Sequence, residues 1–141
     1  KEEEFMFEAY NTTSTTYTTN QPINFSTIRY EDCRVQLRNN NTIVINTPGR
    51  YYVSFHGVGA SDTANGQFTV QLYNNGVAVP GITTTISTNA ATEPETLAAS
   101  TIVNVLPSCA AICNNASLQF VATSTDAGTL TSANVVIFRL K

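Results

Sequence analysis

Fourteen residues in the middle of the chain, GQFTVQLYNNGVAV from Gly66 to Val79, restrict the possible folds more than any other stretch. Phe68, Val70 and Leu72 alternate with Gln67, Thr69 and Gln71. That two-residue period puts one side of an extended chain in a core and the other in water. Asn75-Gly76 then supplies the two positive φ angles of a tight hairpin turn, ahead of Val77 and Val79. A hairpin is not stable alone, so the rest of the chain has to supply further strands.

It does so along its whole length. FMFEAY (5–10), PINFSTI (22–28), CRVQLR (33–38) and TIVI (42–45) read as extended segments, with the asparagines of 39–41 turning the chain between the last two. TPGR (47–50) places Pro48 before Gly49, the pattern of a type II turn. YYVSFHGVGA (51–60) follows, with Tyr51, Val53 and Phe55 expected on the core face and Tyr52 and His56 on the opposite one. GITTTIST continues the hairpin with Ile82 and Ile86, and AASTIVNVLP (98–107), ASLQFVATS (116–124) and ANVVIFRLK (133–141) complete the set. The Thr-rich YNTTSTTYTTN (10–20) reads as a loop. No stretch keeps a helical period. Eight to ten short strands at hairpin spacing in 141 residues predict one all-β domain, a sandwich or jelly roll, spanning 1–141 with an acidic lead-in at 1–4.

Charged residues make up 12% of the chain, about half the usual share. Thr, Asn and Ser take their place, giving a polar, uncharged exterior of the kind common on extracellular and assembly proteins. The net charge is −3, and Arg29, Arg34, Arg38, Arg50 and Arg139 are scattered. That argues against nucleic acid and against an anionic membrane surface, both of which call for clustered cations. No apolar run approaches the roughly 20 residues of a membrane span, so no membrane insertion is expected. The N-terminus lacks the shape of a signal peptide, leaving either export information removed upstream or a cytosolic chain.

Signals for chemistry are sparse. His56 is the sole histidine, and a triad would have to recruit one of many serines with Asp32, Asp62 or Asp126. The G-x-S-x-G elbow is missing, so His56 reads as structural or interfacial. Glu93 and Glu95 flank Pro94 in a surface loop, not as a catalytic carboxylate pair. GASDTANG (59–66) carries too few carboxylates for a defined calcium loop. Cys33, Cys109 and Cys113 have no repeated metal-ligand spacing. Cys109 and Cys113 are the candidate disulfide in an oxidising compartment, with buried thiols as the alternative. The odd count leaves at least one thiol free or paired between chains. No enzyme and no cofactor are expected.

The order of the motifs carries a resemblance. INTPGRYYVSFHG, then GQFTVQLYNNGVAVPGI, then the pair STIVNVL and ASLQFVA, and a terminal ANVVIFRLK together resemble the jelly-roll heads of the complement and tumour-necrosis-factor superfamily. Within it, the chain looks most similar to the C-terminal domains of bacterial collagen-like spore-surface (BclA-like) proteins. By position, Pro48, Gly49 and Tyr51 match the superfamily's turn-and-strand motif, and Asn75, Gly76, Pro80 and Gly81 match the bacterial hairpin. The resemblance implies a ten-strand antiparallel jelly roll that forms a homotrimer at the C-terminal end of a collagen-like stalk. There is no Gly-X-Y repeat in these 141 residues, and the Cys109–Cys113 segment departs from the group's pattern.

On this basis Tyr10, Tyr52, His56, Phe120 and Phe138 are the candidate interface residues, since aromatics on an outer sheet face are a liability unless a partner covers them. The expected function is a non-enzymatic trimerisation head at the tip of a fibre, extracellular, on a bacterial cell or spore surface. The alternatives are an adhesin whose loops take a host glycan or surface protein, and a jelly-roll filament subunit.

Overall fold

The computed structural model describes residues 6–31, 33–87, 94–106 and 116–140; the acidic lead-in, Glu93, Cys109 and Cys113 lie outside them. Among the described residues eleven strands and no helix are formed. They are β1 (Met6–Asn11), β2 (Thr15–Tyr17), β3 (Thr27–Tyr30), β4 (Val35–Arg38), β5 (Thr42–Ile45), β6 (Gly49–Ser61), β7 (Gln67–Asn74), β8 (Val77–Ser87), β9 (Glu95–Val105), β10 (Ala116–Ala122) and β11 (Gly128–Leu140). One sheet runs β3-β1-β11-β6-β9, with β2 also paired to β11; the other runs β4-β5-β10-β7-β8. Every strand pairing is antiparallel. From β5 onward the chain changes sheet at each connection except the β7–β8 hairpin, which wraps the two sheets into a jelly roll.

The alternation of side chains explains why these segments form strands. On β6, Tyr51, Val53 and Phe55 are fully buried while Tyr52 and Ser54 are half-buried and His56 is exposed. On β7, Phe68, Val70 and Leu72 face the same interior. Phe7 and Ala9 from β1 join Val135 and Ile137 from β11, Ile43 and Ile45 from β5, and Leu118 and Phe120 from β10. At the centre, Phe55 and Phe120 stack with ring centroids 4.6 Å apart, and Phe25 meets both edge-on at 6.3 and 6.5 Å. The hydroxyl of buried Tyr51 donates to Thr47 O at 2.7 Å, so the ring enters the core without an orphaned polar atom.

The turns follow their residues, with one correction. Asn75 and Gly76 have φ of 53° and 81°, as the β7–β8 hairpin requires. Pro80-Gly81 sits where the β7–β8 register slips, with Gly81 at φ 82°. The Gln71 amide there donates to Val79 O at 2.6 Å and so binds carbonyls that the ladder leaves free. A proline is tolerated because β8 is an edge strand. Gly49, by contrast, is not the third residue of a type II turn, which would need φ near +80°. It has φ 149° and is already the first residue of β6. An added Cβ would come 2.8 Å from Arg139 Nε, and the Arg139 guanidinium donates to Pro48 O at 3.1 Å. The motif therefore clears room for Arg139 to bind the incoming chain.

The Thr-rich segment also differs from expectation. Thr15–Tyr17 is a strand, paired to β11, in place of a loop. Tyr17 is buried, its hydroxyl accepts from Asn24 N at 3.2 Å, and the Thr16 and Thr129 hydroxyls are 2.8 Å apart.

Candidate functional site

The outer face of the six-stranded sheet is built from the residues that alternate with its core. Successive pairings place them in rows across β1, β11, β6 and β9. The first row is Met6, Phe138, Tyr52 and Ile102; the second is Glu8, Val136, Ser54 and Ser100; the third is Tyr10, Asn134, His56 and Ala98.

The first row is an apolar strip across four adjacent strands. Tyr52 and Phe138 stack with centroids 6.3 Å apart and planes 22° from parallel. Met6, Phe138 and Ile102 remain 37%, 40% and 53% exposed, unlike their core-facing neighbours Phe7, Ile137 and Val103, which are 7% exposed or less. Three large apolar side chains stand in water side by side, and the Tyr52 ring joins them into one patch.

The polar end of the face centres on Glu8, which is only 8% exposed although it lies outside the core. Its Oε2 accepts from Asn134 Nδ2 at 2.7 Å and from the Arg29 guanidinium at 3.1 Å. The guanidinium carbon also stands 4.7 Å over the Tyr10 ring. Arg29 comes from β3, and a slip in the β1–β3 register between Glu8 and Ala9 brings it there. Its side chain is half-exposed, so the Asn134 bond holds Glu8 more firmly than the ion pair does.

Of the predicted interface residues, Tyr10, Tyr52, His56 and Phe138 therefore share one face. Phe120 does not. It is 1% exposed and stacked on Phe55 in the core, because it alternates with Ser117 and Gln119 and so lies on the Leu118 side of β10. Met6, Glu8, Ile102 and Asn134 were not predicted, yet Met6 and Ile102 had a signal. Ile102 precedes Val103, which is buried, so its own side chain has to point outward, and Met6 stands in the same relation to Phe7.

The remaining candidates fall elsewhere. Asp62 accepts from the Thr129 hydroxyl at 2.7 Å and Asp126 from Gln67 N at 3.0 Å, in the loops flanking β7 and β11; neither pairs with His56. Among the described residues no three His, Cys, Asp or Glu side chains are grouped as a metal ion would need. Cys33 is a free, exposed thiol.

No protein-family model and no curated protein matches the sequence. Solved structures do match in shape. The globular domain of the zebrafish complement 1qA protein superposes with a TM-score of 0.67 at 12% identity, over 96% of this chain and 97% of its own. The Eiger tumour-necrosis factor from S. frugiperda gives 0.72 at 10% identity, over 98% and 93%. Murine APRIL at pH 5.0 gives 0.63 at 7% identity, over 98% and 100%. The chain has the jelly-roll fold of these complement and tumour-necrosis-factor structures.

Proposed function

We propose that the chain is a non-enzymatic structural head that assembles as a homotrimer through the outer face of its six-stranded sheet, at the tip of a bacterial or spore surface fibre. The observation that carries the self-association is the Met6–Phe138–Tyr52–Ile102 strip. Exposed apolar side chains that are contiguous, and bordered by polar residues such as Glu8, Ser54 and Ser100, mark a surface meant to be covered. Stable interfaces bury about 800 Å² per partner. Each subunit of a closed trimer takes part in two interfaces, so against the 7531 Å² surface of this chain that is about a fifth. The order of motifs and the shared fold support three copies over two.

Placement on a fibre rests on the resemblance to spore-surface heads and on the low charge of the exterior. The adhesin alternative has less support, because Asp62, the one carboxylate of the GASDTANG loop (59–66), already accepts a bond from Thr129.

The test is light scattering after size exclusion on the wild type, Tyr52→Asp and Phe138→Asp. A carboxylate in the strip should convert the oligomer to single, folded chains. Unchanged mass in both variants would overturn the choice of face.

A further inference from the structure

We infer that His56 makes assembly through this face sensitive to pH, with protonation of its imidazole opposing association. The inference rests on the self-association reading above and adds a control to it.

His56 is the sole histidine of the chain, and it is exposed on the third row of the face, on β6 between Asn134 of β11 and Ala98 of β9. None of the groups facing it from these strands is acidic. On β6 the outward neighbours are Ser54 and Val58, with Arg50 further along; on β11 they are Ser132, Asn134 and Val136; on β9, Thr96, Ala98 and Ser100. Among the described residues the face's one ion pair, Glu8 with Arg29, lies beyond β11 on β1 and β3, beside Tyr10. Its carboxylate is already bound by Arg29 and Asn134.

A neutral imidazole can lose its water to a partner surface at modest cost. An imidazolium cannot, unless an anion replaces the water. Among the described residues this subunit brings none to His56, and a copy that meets it with the same face offers there only Glu8, already bound by Arg29 and Asn134. The free chain thus binds a proton that the assembled chain releases. The sign follows from linkage: the association constant rises with pH through the histidine range and falls on its acid side. The limit is about tenfold per subunit for each pH unit.

The test is sedimentation equilibrium of the full chain between about pH 5.5 and 8 at fixed ionic strength, a range in which histidine is the side chain that ordinarily titrates. Wild type should dissociate at progressively higher concentration as the pH falls. His56→Gln should assemble with one affinity throughout, and His56→Arg should be dissociated even at the alkaline end. Wild-type oligomers of constant affinity across the range would overturn the inference while leaving self-association intact, as would His56→Gln retaining the wild-type pH dependence. Single chains at every pH would instead overturn the self-association reading, and the switch with it.

Discussion

Phe120 belongs to the interior of this fold, on β10 of the five-stranded sheet, and replacing it with alanine tests that placement. Its ring is 1% exposed, stacked at 4.6 Å on Phe55 and edge-on to Phe25 at 6.5 Å. Truncation removes the burial of a whole aromatic side chain and leaves a cavity between two rings that the sheets hold in place. Phe to Ala changes of this kind cost about 3–5 kcal/mol. That is a large share of the roughly 5–15 kcal/mol that holds a domain together. For a chain of this size it lowers Tm by about 10–15 °C. The assay is thermal unfolding followed by circular dichroism, with mass measured on the same sample well below the transition. Phe120→Leu, which keeps most of the volume, should show a smaller loss of Tm and the same mass as wild type. If Phe120→Ala left Tm within about 2 °C of wild type while the mass fell to one chain, Phe120 would belong to the interface and the assignment of the two faces of β10 would be wrong.

Two glycines should respond to alanine for different reasons. At Gly128 the new Cβ would meet the Phe68 ring at 2.3 Å, so the core must shift; we expect a loss of about 1–3 kcal/mol or more in urea unfolding. Gly81 has nothing within 4 Å of its Cβ position, and its φ of 82° alone sets a penalty of about 1–2 kcal/mol. A Gly128→Ala midpoint above that of Gly81→Ala would refute the ranking. Around Glu8, the Asn134 bond should matter more than the ion pair: Glu8→Ala is expected to cost about 1–2 kcal/mol and Arg29→Ala under about 0.5 kcal/mol. Equal losses in the two variants would show that the half-exposed ion pair is the stronger tie.

The sequence carried most of the strand pattern and the turns that allow positive φ, because both depend on neighbouring residues. The Gln67–Leu72 alternation, the Asn75-Gly76 turn and the Tyr51/Val53/Phe55 core face are all present as read. What depends on distant partners was harder to see. Thr15–Tyr17 has no apolar alternation of its own and becomes a strand only because β11 extends far enough to pair with it. The Pro48-Gly49 pair resembles a type II turn locally, yet Gly49 is already the first residue of β6, and Arg139 from the far end of the chain packs against it. The outer face combines β1, β11, β6 and β9, whose order no local pattern reveals. Aromatic content alone made Phe120 an interface candidate. Applied strictly, the alternation of Ser117, Leu118, Gln119 and Phe120 removes it.

The central claim, that the Met6–Phe138–Tyr52–Ile102 face is covered by further copies of the same chain, is tested most directly by the absolute mass of the wild-type protein in solution, measured by light scattering with and without reductant. The account predicts a mass about three times that of the 15.2 kDa chain, unchanged by reductant. A mass of one chain at every concentration, with the strip left open to water, would contradict it.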